Sequence, residues 1–146
     1  VEQLTAAKNL NIALSSLRQA QFGLFDMWLH DASEDKNVES VWRKAVDVAL
    51  LPFHEGTHFP ASFGHLFGYD AGYYGYLWSE VYGDDMWSRF AEEGVTNPAV
   101  GAEYRYHILE KGGSLDGIDL LRNFLGRPPQ NKAFLVKLGI GTESGS

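Results

Sequence analysis

The stretch HEGTHFPASFGHLFGYDAGYYGYLW, residues 54–78, holds three of the five histidines in this sequence. His54, Glu55 and His58 form an HExxH string. On a helix, the i, i+4 spacing places both imidazoles on one face, where they can share a zinc ion. Glu55 beside them can then take a proton from bound water. Zinc also needs a third protein ligand, and His65 and Glu80 are candidates between which the spacing does not choose. Against this, Pro52 and Pro60 leave barely two turns for a helix, and Gly56 within it costs about 1 kcal/mol relative to Ala. The competing reading is a polar loop with exposed histidines.

The second half of the stretch, GHLFGYDAGYYGY, differs in kind. Gly64, Gly68, Gly72 and Gly75 let the backbone turn sharply and approach a ligand. His65, Tyr69, Tyr73 and Tyr76 bring N–H and O–H donors. If helical, Tyr73 and Tyr76 lie one turn apart on one face. Phenols beside an imidazole are groups that hold a peptide carbonyl or stabilise an oxyanion. A lone tyrosine pair on a helix is also what a core with wet phenol tips looks like. Four such groups among four glycines within 13 residues favour the site.

Other candidates read as structure. The neighbouring carboxylates Asp84–Asp85 and Glu92–Glu93 point apart on a helix and are expected at the solvated surface. Trp28, Trp42, Trp78 and Trp87 are expected as core or interface residues. EKGGS lacks the Lys-Ser/Thr ending of a phosphate loop.

The elements that must carry these groups are helical. From Glu2 to His30 apolar residues recur at Leu10, Leu14, Leu17, Leu24 and Trp28, with Phe22, Phe25 and Leu29 to one side, so the helix should be buried on two sides. SEDKN is a polar loop. A helix from Val38 to Leu50 turns Val38, Val41, Trp42, Ala45 and Ala49 inward and stops before Pro52. Residues 52–69 are irregular. Asp70 can cap a helix from Ala71 to Glu93. Asn97 and Pro98 start the next helix, which stops at LEKGGS. Ser114 can cap another that ends at Gly126, and a last short helix covers Asn131 to Leu138. GTESGS reads as a frayed tail. The chain is predicted to be all-α: one helical, bundle-like domain of about six helices, with one Gly/Tyr-rich loop and no linker.

Size and charge narrow the function classes. The 146 residues suffice for one domain with a core, and 45% hydrophobic with 14% aromatic residues fits a globular chain. A net charge of −7, with the 12 Lys and Arg scattered, argues against nucleic acid or an anionic membrane as the partner. The absence of cysteine excludes disulfides and thiolate chemistry. No apolar run reaches the roughly 18 residues a membrane span needs. No signal peptide is visible, and a cytoplasmic location is expected.

With these residues in view, FGHLFGYDAGYYGYLWSEVYGDDMWSRF and EGVTNPAVGAEYRYHILEKGGSLDGIDLLRNFLGRPPQNKAFLVKLGI resemble the C-terminal part of the thimet oligopeptidase family, which includes neurolysin and oligopeptidase A. VEQLTAAKNLNIALSSLRQAQFGLFDMWLH is similar to the helix before it, so the resemblance runs from residue 1 to about 140. It implies a helical zinc metallopeptidase that cuts short peptides in a channel between two lobes. It implies that His65 contacts substrate near the scissile bond, that Tyr69 and Tyr73 bind substrate, and that Tyr76 hydrogen-bonds the developing oxyanion. The loop HLFGY is shorter than in the thimet and neurolysin branch. The family's own zinc helix lies upstream and has no match here, and HEGTH falls where relatives carry a proline-containing loop.

The resemblance therefore implies a C-terminal portion that supplies substrate-side groups, with zinc held elsewhere in the complete enzyme and none in this chain, which alone should be inactive. Its partners would be short peptides and either a missing N-terminal lobe or a second copy, met through an exposed apolar face of the first helix. Two other readings stay open. One is a self-contained zinc hydrolase using His54, His58 and Glu55; the other is a non-catalytic peptide-binding module.

Overall fold

The computed structural model describes residues 2–32 and 36–140, and among these every regular element is helical. The expected tail at 141–146 and most of the expected SEDKN loop lie outside the described residues. The chain forms two compact units, residues 1–77 and 78–146.

In the first unit, α1 (Glu2–Asn9) and α2 (Ile12–His30) occupy the span expected as one helix. The break at Leu10–Asn11 falls where Asn9 and Asn11 stand close together, residues whose side chains compete for backbone hydrogen bonds and weaken a helix interior. Burial on two sides holds only for the C-terminal part of this span. Phe22 and Phe25 are core residues, whereas Leu10 (79% exposed) and Leu14 (45%) stand in solvent. The stripe expected inside is thus open at its N-terminal end.

α3 (Val38–Val48) starts at Asn37, whose side chain accepts from the Ser40 N–H at 3.0 Å. Val41, Trp42, Ala45 and Ala49 are buried as the pattern requires, but Val38, in the first turn, is exposed. Phe22, Phe25, Trp42, Phe63 and Tyr73 form the core of the unit, with Trp28, Leu29, Phe53, Phe59 and Leu66 packed on it. Its rings meet both stacked and edge-on, as in Phe22 against Phe59 (5.1 Å between centroids) and Phe25 against Trp42 (5.1 Å).

Residues 52–69 are largely irregular as expected, interrupted by the single turn α4 (Phe59–Ser62) and a 3₁₀ turn at Gly64–Leu66. The long helix α5 runs Gly75–Glu93, four residues later than the spacing predicts. The division between units falls within it.

In the second unit, α6 (Pro98–Tyr104) begins where expected, with the Asn97 side chain accepting from the Ala99 N–H at 3.0 Å. It widens into a π turn at Arg105–Leu109. α7 (Gly117–Leu125) is capped by Asp116, which accepts from Ile118 N–H, and not by Ser114, which is taken into a 3₁₀ turn at Gly112–Ser114. Gly126 ends α7 in the left-handed conformation (φ 68°). α8 covers Lys132–Lys137. Val81, Val100, Leu121 and Phe124 are buried, and Phe90, Tyr104 and Phe124 meet ring to ring.

Asp85 corrects the expectation of a solvated pair. It is 2% exposed and takes two hydrogen bonds from the Arg127 guanidinium, at 2.7 and 2.9 Å, and a third from Gln130 N–H at 2.7 Å. The Asp85 carboxylate raises the Arg127 pKa further above its ordinary value. Its neighbour Asp84 binds Lys137 at 2.9 Å. Trp78 and Trp87 are about half exposed and are not core residues.

Candidate functional site

The Gly/Tyr-rich segment is held by a residue from another element. Asp26, fully buried on α2, accepts from the N–H of Ala71 and of Tyr73, both at 2.9 Å. Asp26 thus caps the turn before α5, the role expected of Asp70, which is exposed. Ala71 has φ 55°, a conformation uncommon for a residue with a Cβ, and the Asp26 bond holds it there. His30 Nδ1 lies 3.1 Å from the same carboxylate.

That clamp brings the four expected side chains together. His65 Nε2 and the Tyr76 hydroxyl are 3.1 Å apart. The His65 ring sits edge-on to Tyr73, Tyr76 and Tyr69, with centroids at 5.0, 5.7 and 6.0 Å. Tyr73 and Tyr76 are 4.9 Å apart, although Tyr73 lies in the turn before α5 and not on the helix. Gly72 makes this possible. A Cβ there would meet the Tyr69 carbonyl oxygen and ring at 3.1 Å.

The four groups differ in access. Tyr69 and Tyr76 are each 47% exposed. Tyr73, read from sequence as a substrate contact, is 8% exposed and donates its hydroxyl proton to Gln19 Oε1 at 3.0 Å. Burial pushes its phenol above the ordinary tyrosine range, and the bond to Gln19 offsets part of that rise. Tyr73 supports the cluster; Tyr69, Tyr76 and His65 are its open groups.

HEGTH folds differently from a metal helix. Residues 54–58 form a turn, with Gly56 at φ 78°, so His54 and His58 do not share a helical face. Glu55 is gripped by Arg43 through two bonds of 2.8 Å, and Arg43 also binds Glu39. The guanidinium holds the Glu55 carboxyl below its ordinary range. Glu80 lies in the second unit, 3.7 Å from Lys137 Nζ. Among the described residues no three His, Asp or Glu side chains converge in a metal-binding group. The described donors therefore do not fit the zinc site that a self-contained hydrolase would build on His54, His58 and Glu55.

Asp26 and Gln19 are site residues that the sequence reading did not single out. A carboxylate between Phe25 and Leu29, inside an apolar stripe, was the available signal.

Comparison with known proteins places this helical segment in a family. The family model of peptidase family M3 matches residues 1–140, and the chain belongs to that family. It is 43% identical over 144 residues to a thimet-like oligopeptidase of Dictyostelium discoideum, covering 96% of this chain and 21% of that protein. It is 42% identical over 146 residues to oligopeptidase A of Escherichia coli (96% and 22%). With saccharolysin of Saccharomyces cerevisiae it is 40% identical over 147 residues (96% and 20%). The resemblance drawn from FGHLFGYDAGYYGYLW is borne out. The chain spans about a fifth of the length of these relatives.

Proposed function

We propose that this chain is the substrate-side portion of a zinc metallopeptidase that hydrolyses short peptides in the cytoplasm. The observation that carries this reading is the His65–Tyr76 pair, bonded at 3.1 Å with the phenol half exposed. With Nε2 protonated, His65 donates to the Tyr76 oxygen and leaves the phenol proton free to point outward. That donor, polarised by the imidazole, suits an oxygen on which negative charge develops as a peptide carbonyl is attacked. Tyr69, half exposed and 5.9 Å from Tyr76 ring to ring, offers a second hydroxyl for holding the peptide. Tyr73, through Gln19, and Asp26 position these groups.

The metal and its base belong to a part of the protein beyond these residues, and no step here runs through a metal held by this chain. The coverage of about a fifth of each relative supports that assignment. The solvent-facing Leu10 and Leu14 are the surface we assign to the metal-bearing part. Kinetics of the protein carrying this chain on a fluorogenic short peptide test the reading. Tyr76→Phe should lower kcat by roughly 10²-fold with little change in KM. An unchanged kcat would return Tyr76 to a purely structural role.

A further inference from the structure

A cavity of about 270 Å³ in the first unit takes no part in the tyrosine cluster. It opens between α2, α3 and the segment 51–59, and Phe22, Trp42, Phe53 and Phe59 supply aromatic walls. Phe59 stacks on both Phe22 (5.1 Å) and Trp42 (4.8 Å), so the walls are fixed. The volume suits one large side chain rather than a whole peptide.

Two polar residues of α2, one turn apart, line the same cavity. Gln21 is 4% exposed and lines the cavity, and its side-chain amide makes no hydrogen bond among the described residues while its polar atoms are not sealed off. An amide at a cavity wall that no protein group engages is available to a ligand or to water. Arg18 lies over Phe22, 5.3 Å from the ring centroid, and forms no ion pair among the described residues. In a chain with 19 acidic against 12 basic residues, an arginine left without a carboxylate is a directed feature. His54 and Thr57 of the HEGTH segment complete the lining.

We propose that this cavity binds the C-terminal residue of a short peptide when that residue is large and apolar. Its side chain lies on the aromatic walls, its peptide bond meets the Gln21 amide, and its terminal carboxylate meets Arg18. An amide presents both a donor and an acceptor and so matches a peptide N–H and C=O, while a guanidinium matches a carboxylate with two parallel bonds. The ligand class rests on the peptide reading above; the site itself rests on residues outside the tyrosine cluster.

The test is a titration of the protein with N-acetyl-L-phenylalanine, N-acetyl-L-phenylalaninamide and N-acetylglycine, followed by NMR at the Trp42 indole N–H and the Gln21 side-chain amide. The acid should shift both signals and bind at least roughly tenfold more tightly than the uncharged amide or the ringless glycine. Arg18→Gln, at an exposed position where folding is retained and checked by circular dichroism, should abolish the preference for acid over amide. Gln21→Met should weaken both aromatic ligands. No shift at Trp42, equal binding of acid and amide, or a preference surviving in Arg18→Gln would overturn the proposal. Shifts confined to Tyr69 and Tyr76 would also overturn it, while leaving the peptide reading in place. A normal kcat in Tyr76→Phe would remove that reading without altering the binding result.

Discussion

Asp26 and Tyr73 lie 47 positions apart and are joined by a 2.9 Å bond from the Tyr73 backbone N–H to the Asp26 carboxylate, buried from solvent. With the matching bond from Ala71, it fixes the turn from which Tyr73 and Tyr76 project. Replacing Asp26 by Ala leaves both N–H groups without an acceptor, at about 1–3 kcal/mol for a buried donor and less for the partly buried one. The expected loss is about 2–4 kcal/mol in urea unfolding, with peptide-hydrolysis activity falling further than stability alone accounts for. Asp26→Asn, which keeps one acceptor oxygen, should lose less than Asp26→Ala. Equal losses in the two variants would show that the carboxylate is not acting as the clamp.

The Asp85–Arg127 pair does for the second unit what Asp26 does for the first. Asp85 is sealed, with Arg127 and Gln130 as its donors. Arg127→Ala strands a buried carboxylate, for which about 3–5 kcal/mol is the usual cost. The Arg127 side chain is 37% exposed, so water can partly replace it and the lower end applies. Arg127→Lys should recover part of the loss, since one ammonium cannot reproduce the two-pronged contact. Thermal denaturation of both variants gives the comparison, and a neutral Arg127→Ala would contradict the buried-pair account.

Tyr73 gives a pH signature. Its folded-state pKa is raised, chiefly by burial, so the fold favours the protonated phenol. The stability contributed is therefore complete below the unfolded tyrosine value of about 10 and is lost as pH rises from there through the folded value. Tyrosinate absorbance should show a phenol that titrates late, and Tyr73→Phe should remove that late component. Its survival in the variant would assign it to another tyrosine.

HEGTH should not behave as a metal site. Glu55 is held by Arg43 and the histidines lie in a turn, so dialysis against a chelator should leave the thermal stability of this chain unchanged. His58→Ala should leave its zinc content unchanged as well. One zinc per chain, lost together with a measurable peptidase activity in His58→Ala, would establish the self-contained hydrolase instead.

The helical class was legible because its signals are local. Three-to-four spacing marks α2 and α3, Asn97–Pro98 opens α6 and Gly126 closes α7. The gathering of His65, Tyr69, Tyr73 and Tyr76 was also legible, since all four sit within one short glycine-spaced run. What was not legible depends on partners far along the chain. Asp26 displaces Asp70 as the cap from 45 residues away, and Asp85 is buried only because Arg127 reaches it from a distance of 42 residues. No window of neighbouring residues contains either fact. The uneven burial of the first helical span has the same origin, because Phe22 and Phe25 meet Trp42 and Phe63 while Leu10 and Leu14 stay exposed among the described residues.

The central claim is that His65 and Tyr76 act as one unit on the peptide, and a double-mutant cycle measures that directly. kcat/KM for a short fluorogenic peptide is determined for the protein carrying this chain and for His65→Ala, Tyr76→Phe and the double variant. If His65 works by polarising and orienting the Tyr76 hydroxyl across their 3.1 Å contact, the second substitution should add little once the first is made. The double variant should then lie within roughly threefold of the more damaged single variant. Losses that multiply, or single variants with undiminished kcat/KM, would contradict the account.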